Sequence, residues 1–120
     1  MDDIIRSFAD ITLVPDFKET VDKSCLHTAD SLEVLQMNVG RKCNLACKHC
    51  HVLSSPARTE EMSKEVMDVA LTYAKEQNIS TIDITGGAPE MNLNLRYLVE
   101  EAAKFAKKII VRSNLVILLE

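Results

Sequence analysis

Strand-like and helix-like apolar patterns alternate along most of this chain, and that alternation limits the possible folds more than any other feature. Leu32 to Val39 alternates loosely and stops at Gly40, which is typical of a buried strand. The complete series is a strand over 32–39, a helix over 63–78, a strand over 79–84, a helix over 95–108 and a strand over 109–111. This order predicts parallel strands joined by right-handed crossovers, and hence an α/β fold.

Two apolar stripes at helical spacing predict the helices. The first stripe follows Ser63, a preferred N-cap residue, and comprises Val66, Val69, Ala70, Tyr73 and Ala74. The second comprises Leu95, Leu98, Val99, Ala102, Phe105 and Ala106. The second helix is expected to end in Lys104, Lys107 and Lys108, because cations are favourable at the negative end of a helix dipole.

The length supports one core, but the pattern is incomplete for a closed fold. At 120 residues the chain is of ordinary size for one small domain. Residues 1–31 form a lead-in with at most a short helix, in which the lone Cys25 is expected to be a small buried hydrophobe. Residues 32–120 then supply three strands, which leave one sheet edge unpaired. We therefore expect a partial (β/α) barrel, the front part of a larger one that is truncated after the third strand.

Charge and hydropathy argue against two classes of partner. The formal net charge is -4, whereas a nucleic-acid surface normally shows a basic stripe with interleaved aromatic residues. No apolar run approaches the roughly 20 residues that cross a bilayer. The start is acidic, at Asp2 and Asp3, where a secretory signal would be basic. The sequence therefore predicts a cytoplasmic protein with neither nucleic acid nor membrane as a partner.

Three cysteines with the spacing C-x3-C-x2-C lie in one polar loop after the first predicted strand. Cys43, Cys47 and Cys50 can wrap three sulfurs around one centre, and clustered thiols in a cytosolic chain indicate metal ligands before disulfides. Three thiolates on a [4Fe-4S] cluster would leave one iron open to a small molecule. The alternative is a zinc site completed by His49 or His51, in a structural or interaction module. We favour iron and sulfur, because the loop follows a buried strand and no second cysteine pair completes a usual zinc pattern.

A glycine pair opens the loop after the second predicted strand. Gly86 and Gly87 have no Cβ, so their backbone groups can approach a ligand closely, and Glu90 offers an acceptor to an ammonium group. Asn114, just past the third strand, is either a hydrogen-bond partner of a cofactor carboxylate or a turn residue at the strand end. Asp83, within the second strand, either meets a charged partner outside the sheet or anchors a neighbouring loop. Both loops leave carboxyl ends of strands, where α/β folds place their ligands.

Together, the cysteine spacing and the segment Thr85-Gly86-Gly87-Ala88-Pro89-Glu90 resemble the radical S-adenosylmethionine (SAM) superfamily. The resemblance implies that the three cysteines ligate a [4Fe-4S] cluster whose fourth iron chelates SAM. It also implies that the glycine pair and Glu90 contact the methionine ammonium, and that the backbone of His49 lies near the adenine. The implied activity is one-electron cleavage of SAM to methionine and a 5'-deoxyadenosyl radical, with a flavodoxin or ferredoxin as electron donor.

A narrower resemblance, to the arsenosugar-biosynthesis branch of that superfamily, covers residues 32–120. It rests on Leu35-Gln36-Met37-Asn38-Val39-Gly40, Cys50-His51-Val52, Arg58-Thr59-Glu60, the segment from Asp83 to Glu90, and Asn114-Leu115. Ser113 departs from this branch, in which a cysteine is expected. The branch implies a small-molecule substrate, a methylated arsenic(III) species that receives a 5'-deoxyadenosyl group. Its members are longer, so this chain alone is expected to make little 5'-deoxyadenosine.

Overall fold

The computed structural model describes Pro15, residues 17–25 and residues 29–119. The chain divides into two units, residues 1–30 and residues 31–120. No helix in the described ranges is both long enough and apolar enough to cross a bilayer. That the second unit is the front part of a larger domain stays a prediction.

The first unit contributes two short elements to the described structure. They are a single-turn helix α1 (Phe17–Thr20) and a 3-10 turn (Lys23–Cys25). The apolar clusters at the start of the predicted lead-in lie outside the described residues. Cys25 is exposed, so the expectation of a buried thiol at this position is wrong.

Three parallel strands form the sheet of the second unit. They are β1 (Val34–Asn38), β2 (Thr81–Thr85) and β3 (Lys108–Val111), in the spatial order β1-β2-β3. Met37 in β1 stands in register with Ile84 in β2, which pairs in turn with the last residue of β3. Parallel pairing requires a crossover between successive strands, and here each crossover contains a helix. The predicted strand positions and the parallel pairing are confirmed.

The helix α2 (Lys64–Glu76) lies between β1 and β2 and begins where the sequence predicts. The Ser63 hydroxyl accepts a hydrogen bond from the backbone N–H of Val66 at 3.5 Å, which caps the helix. The buried residues of α2 are Met67, Leu71 and Ala74, whereas Val66, Val69 and Tyr73 of the predicted stripe are exposed. The predicted face is therefore wrong at the two valines and the tyrosine, whereas Ala74 is buried and Ala70 packs against the core as predicted. Two adjacent apolar stripes run along this helix, and the sheet takes the one with the long Met and Leu side chains.

The helix α3 (Leu95–Ala102) lies between β2 and β3 and ends earlier than the sequence predicts. Its buried residues belong to the predicted stripe. The predicted end in Lys104, Lys107 and Lys108 is wrong. The backbone N–H groups of Lys107 and Lys108 donate to the Ser80 carbonyl, at 2.9 and 3.1 Å, so the chain has already turned into the sheet. Lys108 accordingly opens β3.

The hydrophobic core lies between both helices and one face of the sheet. It contains Met37, Val39, Met67, Leu71, Ala74, Ile79, Ile82, Ile84, Leu98 and Ala102, with Leu35 and Ile109 packed against it. Burying one large aliphatic side chain stabilises a fold by about 1.5–3 kcal/mol, so this core is the main source of stability of the second unit. Because alternate strand residues share a face, Gln36 and Asp83 lie on the opposite face. Neighbouring parallel strands with crossover helices on one face make the predicted partial (β/α) barrel.

Candidate functional site

A cavity of about 420 Å³ opens at the carboxyl ends of the strands, a size typical of small-molecule sites. Its lining includes Cys43, Cys47, Cys50 and His49 from one loop, Gly86 and Gly87 from the next, and Asn114 after β3. Of the residues that the sequence singles out as ligand contacts, only Glu90 is not part of this lining. The loop that carries the cysteines (the cysteine loop) and the loop after β2 that contains Gly86 and Gly87 (the glycine loop) therefore meet at one site, as the strand order predicts.

The cysteine loop, residues 40–62, is closed at its base by backbone contacts. Isolated bridges pair Gly40 with Glu61 and Lys42 with Ser55. The N–H of Arg41 donates to the Glu60 carbonyl at 2.9 Å, and its side-chain Nε donates to the Val52 carbonyl at 2.7 Å. These bonds hold the outgoing and returning halves of the loop together, which fixes the thiols between them.

Cys43 is the most buried of the three thiols, at 6% exposed. Its sulfur accepts hydrogen bonds from the N–H of Leu45 at 3.4 Å and from Nδ2 of Asn114 at 3.6 Å. Asn114 also donates to Oδ1 of Asn44 at 2.8 Å and accepts from the N–H of Ile117 at 3.1 Å. Asn114 therefore acts as a turn residue at the strand end that is tied to the cysteine loop. Its contact with a cofactor carboxylate stays a prediction.

Cys50 is half-buried, and its sulfur accepts a hydrogen bond from the N–H of Ser54 at 3.4 Å. This bond is the main cause that lowers the pKa of the Cys50 thiol, and burial acts in the opposite direction. The Ser54 hydroxyl adds a smaller lowering of that pKa, although its geometry falls short of a hydrogen bond. Cys47 is exposed, and its carbonyl accepts the N–H of Cys50 at 3.1 Å. The three thiols thus range from the buried side of the loop to its open side.

The side chains at the site are of the kind that an iron–sulfur cluster takes, but they are not gathered closely enough to hold a metal ion as they stand. Within the described part of the chain, no group of three or more His, Cys, Asp or Glu side chains is placed to hold a metal ion. The site offers three free thiols around one cavity. The Ser54 N–H lowers the pKa of the Cys50 thiol, which favours the thiolate, the form that ligates iron. Thiolates of this kind are the usual ligands of iron–sulfur clusters, and the cavity leaves room for one.

The glycine loop is fastened to the beginning of the cysteine loop. The N–H of Gly87 donates to the Gly40 carbonyl and the N–H of Ala88 to the Lys42 carbonyl, both at 2.9 Å. A Cβ on Gly87 would lie 2.3 Å from the Lys42 carbonyl oxygen, a distance that real Cβ atoms do not show. Glycine is therefore required here by the close approach of two backbones. The sequence predicts that the glycine backbone approaches a ligand closely, whereas the structure shows Gly87 close to the backbone of the cysteine loop.

Glu90 lies in a 3-10 turn, Pro89–Met91, that follows the glycine loop. One carboxylate oxygen, Oε2, is buried and has no hydrogen-bond partner among the described residues. A buried carboxylate oxygen without a donor is unusual, and an ammonium group would satisfy it. Its role as a contact of the methionine ammonium stays a prediction.

Asp83 meets a charged partner just outside the sheet, which is one of its two predicted alternatives. Its side chain is 6% exposed and accepts hydrogen bonds from Nε and Nη2 of Arg112, at 2.9 and 2.6 Å. Nε2 of Gln36 donates to the same carboxylate at 3.0 Å. The Arg112 bonds, then the Gln36 bond, hold the pKa of Asp83 below its usual value. Arg112 and Gln36 both line the cavity, so this network belongs to the site.

Two buried polar residues of the site region escape the sequence analysis. The side chain of Asn92 is buried and donates to the carbonyls of Val39, at 2.8 Å, and Met62, at 3.1 Å. It thereby joins the end of β1 to the start of α2, on either side of the cysteine loop. Ser54 is the second, and its buried hydroxyl lies in the cavity lining. A buried polar residue in a loop is recognisable only after the loop is folded.

Comparison with known proteins finds a matching family model and related proteins. The model of the Radical SAM superfamily matches residues 37–120. The "Putative peptide biosynthesis protein YydG" of Bacillus subtilis (strain 168) is 32% identical over 84 residues, which cover 68% of this chain. The "Antilisterial bacteriocin subtilosin biosynthesis protein AlbA" of the same strain is 30% identical over 73 residues, or 61% of this chain. The "Probable GTP 3',8-cyclase" of Archaeoglobus fulgidus is 32% identical over 72 residues, or 59% of this chain.

The matched regions are small parts of these relatives. They cover 26% of YydG, 16% of AlbA and 24% of the cyclase. The chain therefore spans about a quarter or less of the length of the curated relatives that it matches.

Proposed function

The chain belongs to the radical SAM superfamily, whose members use a [4Fe-4S] cluster and SAM, and we propose that Cys43, Cys47 and Cys50 ligate that cluster here. The observation that carries the proposal is the meeting of three free thiols and the glycine loop at one cavity. When bound, the cluster supplies the electron that splits SAM into methionine and a 5'-deoxyadenosyl radical.

The chain supports its thiolates through the backbone of the cysteine loop. The N–H groups of Leu45 and Ser54 donate to the sulfurs of Cys43 and Cys50. Hydrogen bonds to sulfur stabilise negative charge on the ligands and influence the reduction potential of a cluster. Cys47 lines the same cavity on its exposed side. Backbone N–H groups thus hold two of the sulfurs, and Cys47 supplies the third.

The glycine loop, His49, Glu90 and Asn114 are the proposed contacts of SAM. Gly86, Gly87, His49 and Asn114 line the cavity beside the cysteines. The buried, unpartnered oxygen of Glu90 supports a role as acceptor from the methionine ammonium. Holding the sulfonium beside the reductant lowers the entropic part of the barrier. On this proposal the site acts mainly by placement.

For the substrate, we propose a methylated arsenic(III) species that receives the 5'-deoxyadenosyl group, as in arsenosugar biosynthesis. The support is the resemblance of the segments around Gln36, His51, Arg58, Asp83 and Asn114 to that branch. A peptide is the second candidate, because YydG and AlbA are named for peptide and bacteriocin biosynthesis. The proposed electron donor is a flavodoxin or ferredoxin, and the proposed location is the cytoplasm.

Anaerobic reconstitution with iron and sulfide tests the cluster assignment. The unaltered chain is expected to turn brown with broad visible absorption, whereas a zinc module would stay colourless. In Cys47→Ala the iron and sulfide content is expected to fall close to zero, because two thiolates do not retain the cluster. Cys25→Ala is the matched control, since Cys25 lies outside the cysteine loop, and it should keep full iron. Full iron in Cys47→Ala would refute the ligand set.

A product assay tests the arsenic candidate. The sample is the natural-length gene product, reconstituted and supplied with SAM, dithionite and a dimethylated arsenic(III) compound. Mass spectrometry is expected to detect an adenosylated arsenical. If 5'-deoxyadenosine accumulates without that product, the radical takes up a hydrogen atom and does not add to arsenic, and the arsenic proposal is wrong.

A further inference from the structure

Ser54 is a buried polar group to which the proposed function gives no task. The residue is 6% exposed, and its hydroxyl oxygen is enclosed with no hydrogen-bond partner in the described part of the chain. A buried hydroxyl without a partner is unfavourable, so its presence in a folded protein requires an explanation. Ser54 lines the same cavity as the three cysteines. A group bound in that cavity therefore lies near Ser54.

Backbone hydrogen bonds fix Ser54 beside Cys50. Its N–H donates to the Cys50 sulfur at 3.4 Å, and the N–H of Leu53 donates to the Cys50 carbonyl at 3.0 Å. Leu53 has a φ of 52°, in the left-handed region, which turns the chain back towards the cysteine. On the other side, the N–H of Ser55 donates to the Arg41 carbonyl at 3.3 Å. Ser54 is therefore held between two anchored neighbours, and the loop determines where its hydroxyl lies.

We propose that the Ser54 hydroxyl donates a hydrogen bond to cluster sulfur at the Cys50 corner and thereby raises the reduction potential of the cluster. The acceptor is the Cys50 thiolate or the sulfide beside it, and both are anionic sulfur. The inference rests on the proposed function, because it requires Cys50 as a ligand. The reduced cluster carries one more negative charge than the oxidised one, so a donor at sulfur stabilises the reduced form more. Ser54 is a positioning residue, since it acts through the cluster and not on the substrate.

The test is a redox titration of three variants of the reconstituted protein. Ser54→Ala removes the hydroxyl, Ser54→Thr keeps it, and Ser55→Ala makes the same deletion one residue further along. Each is titrated with dithionite, and the reduced cluster is followed by electron paramagnetic resonance. Ser54→Ala is expected to keep full iron and to lower the equilibrium constant for one-electron reduction by about tenfold, which is about 59 mV. Ser54→Thr and Ser55→Ala should remain close to the unaltered protein.

Each other outcome is decisive. An unchanged potential in Ser54→Ala with full iron would show that the hydroxyl does not reach the cluster. Loss of iron from Ser54→Ala would assign the hydroxyl to holding the loop, and it would also overturn the proposal. An equal shift in Ser55→Ala would assign the effect to the backbone of the loop. Failure of the unaltered protein to form a cluster would instead refute the proposed function, and it is visible before any substitution is made.

Discussion

The two faces of β2 show how differently this chain secures its fold and its site. On one face Ile82 and Ile84 are fully buried beneath the helices. On the other, Asp83 accepts hydrogen bonds from Gln36 and Arg112 at the cavity. The first face is stabilised by apolar area, which has no preferred direction. The second depends on particular partners at particular distances, so substitutions on the two faces should fail in different ways.

The largest effect on stability is expected in the core. Leu98 is fully buried, and Leu98→Ala should lower the free energy of unfolding by about 2–5 kcal/mol, because it removes apolar contacts and leaves a cavity. Leu93, which is 95% exposed, is the matched control, and Leu93→Ala should change that energy by less than about 0.5 kcal/mol. Urea denaturation followed by circular dichroism measures both. Equal losses in the two variants would show that apolar burial does not set the core face of β2 apart from exposed positions.

An intermediate effect is expected where the two loops of the site touch. Gly87→Ala places a Cβ 2.3 Å from the Lys42 carbonyl oxygen, so the glycine loop and the cysteine loop must separate. We expect a loss of about 1–3 kcal/mol in the free energy of unfolding, and a fall in iron bound on reconstitution. Ala57→Ser, at an exposed position of the cysteine loop, should change neither quantity. Full iron binding by Gly87→Ala would show that the cysteine loop does not need the glycine loop.

The fold was predictable where a periodic pattern had one solution. The three strands and the Ser63 cap follow from apolar spacing and a capping preference that act over a few residues. The buried face of α2 was not predictable, because valines and the Met67–Leu71 pair form two adjacent stripes of similar hydrophobicity. The end of α3 was not predictable either. The lysines beyond it favour a helix locally, but the backbone N–H groups of Lys107 and Lys108 donate to the Ser80 carbonyl, so this segment joins the sheet. Tertiary hydrogen bonds there override a local preference.

Only the parts of the site that form local motifs in the sequence were predictable. The cysteine loop is a local motif, and its meeting with the glycine loop follows from parallel strands. The supports of that loop are long-range. Asn92 acts through the carbonyls of Val39 and Met62, and Ser54 is buried only once the loop closes. Arg112 was foreseeable in kind, because an aspartate inside a buried strand requires a partner, but the sequence did not identify which residue it was.

The smallest effect is expected at Asp83, and it should depend on pH. The Arg112 and Gln36 bonds lower the pKa of Asp83 in the folded chain, so its contribution to stability is fully present above the unfolded value of about 3.9. That contribution is lost as the pH falls through the lower folded pKa. Asp83→Asn should therefore melt a few degrees below the unaltered chain at pH 7, and the gap should close in acid. Thermal melts from pH 7 down to a pH below the folded pKa of Asp83 measure this difference in melting temperature.

Two variants sharpen this expectation. Arg112→Gln leaves the Asp83 carboxylate without its cationic partner, so at neutral pH it should lower the melting temperature more than Asp83→Asn does. Its deficit should also shrink in acid, because protonation then relieves the unpaired charge. Glu76→Gln, at an exposed position near the end of α2, removes a carboxylate outside the network and should show no such closing gap. A gap for Asp83→Asn that stays constant into acid would mean that the charge of Asp83 does not stabilise the cavity face, and the contrast between the two faces of β2 would then lie in packing alone.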